Sequence, residues 1–501
     1  MITIEINSNA LAYDAQSLTK SFFPEEDIIV LETMEDKTKG RILEVELEED
    51  KVVISLIQDG KVAMKKEKAN IFDEEKEWIR SEDSIKEAKR KHYKNQFKIL
   101  LYQMLEQVSG RTLPWGTLTG VRPTKIPMGY YLSGDTRDCI KNYMQKHYLC
   151  QDNKIDISLD IVEKEASILE EIDYKNGYSI YIGIPFCPTT CLYCSFTSFS
   201  YTKYESYAEP YLNALFKEID YAAHCIPNKK LNTIYVGGGT PTTLSEPLLE
   251  RLLIKIRKTL PMEHVKEFTV EAGRPDSITK RKLEIMKEQG VTRISINPQT
   301  MKDETLRLIG RSHTVAQIKE AFELAREAGH DNINMDLIVG LQGETLEDVD
   351  KTLEEVGKLN PDSITIHSLV TKRAARLNLQ KEKKQADNID EMVEHGLRFC
   401  KAKGYEPYYM YRQKNTTGSS KSANQENVGY AKPGKEGIYN ILIMEEMETI
   451  LALGAGASSK FVFADEDRVE RVENVKSLTD YISRIDEMIE RKEKFLKENP
   501  L

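Results

Sequence analysis

The sequence predicts an α/β chain centred on an incomplete parallel barrel of six βα units, with a small α+β domain before it and an α+β extension after it. Two observations carry this. From about Ser179, short apolar runs alternate with helix-like stretches: SIYIGI, NTIYVGG, EFTVEA, TRISIN, NINMDLIVG and SITIHSL. Strands alternating with helices at this spacing need crossover connections and a parallel sheet, and six of them fall short of the closed eightfold barrel. The chemically distinctive segments follow these runs, at the strand C-terminal ends where such barrels carry function.

The flanking parts follow in chain order. The first 70 residues hold β-rich runs, IIVLE, ILEVELE and KVVISLI, between charged turns, which suits a small sheet domain. A charged helical stretch runs from about Glu74 to Val108 and includes KEAKRKHYKNQFK, whose lysines suit a solvated helix face or a phosphate contact. RTLPWGTLTGVRPTK is too rich in Gly, Thr and Pro to be a helix and reads as a structured loop. This places an N-terminal domain at 1–150, the barrel at 151–376 and a substrate-side C-terminal domain at 377–501. The last begins in the charged run QKEKKQADN and contains YEPYYMYR and ILALGAGASS.

With 501 residues the chain suits two or three domains, and a mean hydropathy of -0.49 places it among water-soluble globular proteins. No signal-like start and no apolar run of roughly 18 residues is present, so the expected location is cytoplasmic, without membrane contact. A net charge of -10 repels polyanions and argues against nucleic acid as the main partner. Seven cysteines, three of them crowded into one short segment, suggest a metal site rather than a disulfide framework. Cys139, Cys150, Cys225 and Cys400 are scattered and read as inert thiols.

YIGIPFCPTTCLYCSF sets Cys187, Cys191 and Cys194 in CxxxCxxC spacing directly after a strand. Three thiolates on one loop suit an iron–sulfur cube with one iron left open, and structural zinc would need a fourth protein ligand. The triple glycine Gly237, Gly238 and Gly239 ends the second strand, where missing side chains let backbone approach a ligand or make a tight turn.

With these motifs the chain resembles the radical S-adenosylmethionine (SAM) superfamily, and within it the oxygen-independent coproporphyrinogen III oxidase family, HemZ-type branch. The resemblance spans about Ser179 to Ser459 and rests on Tyr181, GGGTPT, Glu271, Gln299, GRSH and DLIVGL in that order. It implies a [4Fe–4S] cluster on the three cysteines, with SAM chelating the open iron. It implies a SAM pocket of Tyr181, Gly238, Gly239, Thr240, Glu271, Gln299, Arg311 and Asp336, and makes Tyr181 and Gln299 candidate catalytic residues. Arg311 would face the SAM carboxylate and Asp336 a ribose hydroxyl, roles that suit a guanidinium and a strand-end carboxylate; structural ion pairs are the competing reading. His313 is equally a packed residue or a ligand contact.

The resemblance further implies a tetrapyrrole substrate, a reduced flavodoxin- or ferredoxin-type electron donor, and radical decarboxylation of propionates. Arg122, Lys125, Arg274, Lys372, Arg373 and Arg412 are candidate cations for its carboxylates, and Tyr405, Tyr408, Tyr409 and Tyr411 a candidate wall or a core strand. Two positions depart from the oxidases: Phe196 stands where they carry a fourth cysteine and Gly183 where they carry a histidine. An aromatic like Phe196 is also carried by the related heme-chaperone branch. A tetrapyrrole or heme carrier is therefore the alternative reading, although eight His offer few axial ligands; an RNA-modifying radical SAM enzyme is a third.

Overall fold

The computed structural model describes residues 1–34, 37–38, 40–72, 85–194, 198–369, 388–413, 426–466 and 468–501. Phe196, Lys372, Arg373 and most of QKEKKQADN lie outside them. The chain divides into two units: Met1–Val162 with the described residues of Arg412–Gln425, and Glu163–Tyr411 with Glu426–Leu501.

The first unit opens with β1 (Ile2–Ile6), α1 (Ala12–Phe22), β2 (Ile28–Leu31), β3 (Arg41–Leu47), β4 (Lys51–Gln58) and β5 (Lys61–Ala69). They form a sheet in the order β2-β1-β3-β4-β5, parallel where β1 meets β2 and β3, antiparallel beyond. Helix α1 has no counterpart in the β-rich reading of this region; its Leu18 and Phe22 seal the sheet face formed by Ile2, Ile4 and Ile54. Next come α2 (Ile85–Ser109), α3 (Lys125–Leu132), α4 (Arg137–Tyr148) and α5 (Asp152–Glu170), within which the unit boundary falls. Helix α2 adds Phe97, Leu101 and Leu105 to the same core. RTLPWGTLTGVRPTK is a structured loop, as its composition predicts. Trp115 is fully buried, Thr117 N–H donates to Tyr148 carbonyl at 2.8 Å, and Gln151 N–H donates to Pro114 carbonyl at 2.9 Å.

The second unit begins with β6 (Gly177–Ile184), a short ribbon of β7 (Phe186–Cys187) and β8 (Phe199–Ser200), α6 (Tyr201–Tyr204), α7 (Ala208–Ala222), β9 (Lys230–Gly238) and α8 (Glu246–Thr259). It continues through β10 (Glu267–Gly273), α9 (Lys280–Glu288), β11 (Arg293–Ile296), α10 (Asp303–Leu308), α11 (Val315–Glu327), β12 (Ile333–Val339), α12 (Leu346–Leu359) and β13 (Ser363–Ser368). The last elements are α13 (Ile389–Ala402), β14 (Glu406–Arg412), β15 (Glu426–Ala431), α14 (Ile438–Glu445), β16 (Thr449–Leu453), β17 (Ser458–Phe463), β18 (Arg468–Glu473), α15 (Leu478–Ser483) and α16 (Ile485–Glu498). The six expected strands are adjacent and parallel in the order β13-β12-β11-β10-β9-β6. Their near-continuous burial is what a parallel sheet covered on both faces imposes. The covering helices start where the sequence caps them: Thr314 with Gln317 and Thr345 with Asp348 form capping boxes, and α12 then buries Val349, Leu353 and Val356 on one stripe.

The sheet goes further than six strands. Strand β16 pairs in parallel with β6 as a seventh, β17 and β18 extend that edge, and β15 adds antiparallel to β13 at the other. YEPYYMYR supplies β14, whose Tyr408 and Tyr409 are core residues, as is Tyr405 just before it. Among the described residues no helix is long and apolar enough to cross a membrane.

Two buried carboxylates fasten β16. Just before the strand, Glu448 accepts from the Ser179 hydroxyl on β6 and from Asn232 Nδ2 on β9 at 2.8 Å. Just after it, Gly454 N–H donates at 2.8 Å to Glu218 of α7. Glu218 also receives the Tyr481 hydroxyl at 2.5 Å, Asn474 Nδ2 at 2.8 Å and Lys492 Nζ at 2.7 Å. Both members of the Lys492–Glu218 pair have fully buried side chains. Removing one partner of such a pair strands the other charge, so Lys492→Met is expected to cost about 3–5 kcal/mol. Calorimetry would show a clearly lowered transition for the second unit; an unchanged one would refute the assignment.

Burial pushes the Glu448 carboxyl up to about 7 from 4.5, against the hydrogen bonds from Ser179 and Asn232. Between those values the folded chain holds a proton that the unfolded chain has released, so stability falls as pH rises through the window. At 1.36 kcal/mol per unit the loss is on the order of 3 kcal/mol. Glu448→Gln is expected to flatten the stability–pH curve there in urea titrations; an unaltered slope would count against it.

Candidate active site

The loop that follows β6 is fixed by backbone pairing on two sides. Gly239 N–H donates to Ile184 carbonyl at 2.8 Å and Thr240 N–H to Phe186 carbonyl at 2.7 Å, so the glycine motif runs along the start of the cysteine loop. This explains two of its glycines. Gly238 has φ 103° and Gly239 lies so close that a Cβ would stand 2.5 Å from the Phe186 carbonyl oxygen. On the other side, Leu192 N–H donates to Ile309 carbonyl at 3.0 Å and Thr189 Oγ1 to Gly310 carbonyl at 3.3 Å, which ties the loop to the GRSH segment.

Cys187 and Cys194 are partly buried and Cys191 is buried. Thr240 Oγ1 donates to Cys187 Sγ at 3.7 Å. Burial pushes the Cys187 thiol up to about 11, partly offset by Thr240, and Cys194 and Cys191 add to the rise. A thiol this reluctant to ionise becomes a thiolate when a metal centre takes the charge. Among the described residues no three His, Cys, Asp or Glu side chains form a cage for a single ion. Three thiols on one pinned loop fit a [4Fe–4S] cube that leaves one iron open.

Arg311, 6% exposed, donates through Nη1 to the Asn297 carbonyl and through Nη2 to the Tyr193 hydroxyl at 3.1 Å, while its Nε is buried without a hydrogen-bond partner. An orphaned guanidinium N–H fits an anionic ligand group such as a carboxylate. Glu271, at the end of β10, accepts from the Tyr235 hydroxyl at 2.6 Å. Burial lifts its carboxyl to about 7, Tyr235 pulls it down and Asp336 pushes it up, so the two carboxylates feel one another. Asp336, against its burial, is held below the usual range by His367, with Nε2 3.9 Å away, and by Asn334 Nδ2 at 2.7 Å. Tyr181 stacks on Tyr235 at 6.2 Å and Tyr439 at 6.4 Å, and burial holds its hydroxyl far above the usual range.

Gln299 has φ 68°, unusual for a side-chain-bearing residue, and is held there by β12: its N–H donates to Asp336 carbonyl and its carbonyl accepts from Ile338, both at 2.9 Å. It also lines a small cavity with Leu337, Val349, Leu353 and Ile366. Tyr193, Tyr235, Tyr439, Asn297 and His367 are site neighbours that the motifs did not single out. Tyr193 had a signal, its place between two cysteines; Tyr235, His367 and Tyr439 lie on β9, β13 and α14 and Asn297 just beyond β11, where only the fold reveals their aim. His313 is buried opposite Asp276, with Nδ1 3.6 Å from Oδ1 and neither ring nitrogen hydrogen-bonded. Two candidate substrate cations are corrected. Arg274 is buried in an ion pair with Asp276, and Arg412 is buried over Trp115 and donates to Leu118 carbonyl at 2.8 Å.

A parallel partial barrel with a cysteine loop at its strand ends defines the class, and residues 181–356 match the Radical SAM superfamily. Members of this superfamily work with a [4Fe–4S] cluster and SAM. The chain is 38% identical over 425 residues to the oxygen-independent coproporphyrinogen-III oxidase-like protein HemZ of Bacillus subtilis (83% of this chain, 84% of that one). It is 34% identical over 292 residues to the heme chaperone HemW of the same organism (56% and 70%). The solved coproporphyrinogen III oxidase HemN of Escherichia coli shares the fold, with a TM-score of 0.51 at 23% identity over 65% of this chain and 73% of that one. The chain belongs to the coproporphyrinogen III oxidase-like family of radical SAM proteins.

From the pinned loop, Cys187→Ser, Cys191→Ser or Cys194→Ser is each expected to abolish nearly all iron and sulfide binding in anaerobically prepared protein. Cys139→Ser and Cys225→Ser should leave it intact. Full iron in Cys191→Ser, or stoichiometric zinc in the parent, would refute the ligand set.

Proposed function

We propose that this chain oxidatively decarboxylates propionate side chains of coproporphyrinogen III towards protoporphyrinogen IX, in the cytoplasm, with electrons from a reduced flavodoxin- or ferredoxin-type donor. The supporting observation is the likeness to HemZ across 84% of that protein, joined to a site whose orphaned Arg311 Nε fits the carboxylate of SAM. When bound, the cluster and SAM would supply the radical chemistry that removes one hydrogen atom from the propionate. Loss of CO₂ and of one further electron to an acceptor leaves the vinyl group.

The protein's share is placement. Cys187, Cys191 and Cys194 hold the cluster, and the GGGT backbone beside them receives the methionine end of SAM. Arg311 would hold its carboxylate, while Glu271 and Asp336 would accept from its polar hydrogens. Tyr181 and Gln299 are the candidate catalytic residues, Tyr181 on β6 just ahead of the cysteine loop and Gln299 bridged to β12 beside Asp336.

Heme transfer is the second reading, favoured by the likeness to HemW and by Gly183 in place of the oxidase histidine. Anaerobic incubation with SAM, a reductant and coproporphyrinogen III separates the two. The expected products are 5′-deoxyadenosine, in greater yield with the tetrapyrrole present, and a monovinyl tricarboxylic porphyrin with or without the divinyl one. No loss of CO₂, together with stoichiometric heme binding and its transfer to an acceptor protein, would replace the oxidase reading by the carrier one.

Arg311→Ala is expected to weaken SAM binding tenfold or more, since a charge-assisted pair contributes about 1.5–3 kcal/mol, while iron content stays at the parent level. Unchanged SAM affinity with lost iron would make Arg311 a structural residue.

A further inference from the structure

Arg274 has no role in the machinery described so far. It follows Gly273 at the end of β10 and is 3% exposed. Its Nε and Nη2 donate to the two oxygens of Asp276 at 2.9 and 2.6 Å. Its Nη1 donates to the Thr189 carbonyl at 3.1 Å and hydroxyl at 2.6 Å, and stands 4.0 Å from Cys191 Sγ. The guanidinium is thus clamped on one edge by a carboxylate and aimed on the other at the cysteine loop. Such a cation does not deprotonate, and burial in an unpaired state would be costly, so Asp276 is what lets a permanent charge sit there. Asp276 in turn faces His313 Nδ1 at 3.6 Å.

We infer that Arg274 is a positioning residue that tunes the cluster: clamped by Asp276, it fixes the turn between Cys187 and Cys191 and sets a positive charge beside the Cys191 sulfur, which favours the reduced cluster. This rests on the cluster reading above. Reduction brings one electron to the cube and neither makes nor breaks a bond, so the product carries one more negative charge than the reactant. A cation at hydrogen-bonding range of a ligand sulfur stabilises that product more than the oxidised form. Asp276 works in the opposite sense, because its charge offsets part of the guanidinium's field. Removal of the two groups should therefore move the midpoint potential in opposite directions, which a purely structural contact would not do.

The test uses the full chain with its cluster reconstituted anaerobically and titrated with dithionite, the reduced cluster being followed by electron paramagnetic resonance. Arg274→Met is expected to lower the midpoint and Asp276→Asn to raise it, each by about a tenfold change in the reduction equilibrium, ~59 mV for one electron. Arg274→Lys, which keeps the charge, should fall between Arg274→Met and the parent. Equal midpoints in all proteins, or shifts of the same sign in the Met and Asn variants, would overturn the inference. If Arg274→Met retains no iron, Asp276→Asn decides alone, and an unmoved midpoint there overturns it. A parent protein without any reducible [4Fe–4S] signal would instead defeat the cluster reading itself.

Discussion

The second unit depends on the attachment of β16 to β6. Five residues of strand would be a weak edge by themselves, yet this strand carries the whole β17–β18 extension, and the Glu218 network joins α15 and α16 to it. Its attachment is polar as much as apolar. Glu448 gathers β6 and β9 at one end of the strand, and Glu218 gathers α7, Gly454, Asn474, Tyr481 and Lys492 at the other. Apolar contacts alone tolerate sliding, whereas a buried carboxylate with several donors is satisfied in one register only.

That register reaches the site. Tyr211, on α7 beside Glu218, donates its hydroxyl to Gly183 carbonyl at 2.6 Å and accepts from Ala455 N–H at 3.1 Å. Gly183 is one residue before Ile184, whose carbonyl starts the pairing with the glycine motif, and Phe186 and Cys187 follow. The cysteine loop is therefore held from three directions: by the C-terminal part through Tyr211, by the glycine motif through Gly239 and Thr240, and by the GRSH segment through Leu192 and Thr189. A loop whose three thiols would share one cube would gain from constraint fixed before the metal arrives.

The parallel strands and their order were legible because period and length distinguish them: each run is short, apolar, bounded by helix-like sequence and followed by a motif. Strand β16 was not. TILAL has the same composition, but it sits after α14 in a stretch without regular βα alternation, and only tertiary pairing reveals its partner. Helix α1 was hidden between strands for the opposite reason, since LAYDAQSLTKSF carries too few apolar residues to stand out until Leu18 and Phe22 find a sheet to cover. In the site, residues within motifs were visible and those acting from outside them were not. Arg274 was legible as a charge, and its burial against Asp276 and Thr189 turned a candidate substrate contact into an internal one.

The same reasoning bears on the oxidase pattern. Gly183 stands where the oxidases carry a histidine, and the substitution reads at first as loss of a functional group. In this chain a Cβ at 183 would lie 3.3 Å from the Leu453 carbonyl oxygen and 3.4 Å from Tyr181 Cε1, tighter than most such contacts. Leu453 is the last residue of β16, and Tyr181 carries the aromatic stack over Tyr235 and Tyr439. A larger side chain there would press on both the seventh strand and the pocket wall. The close approach of β16 therefore favours a glycine at 183 on packing grounds, separate from the chemistry of the site. Its presence weighs less against decarboxylation than the bare sequence difference suggests.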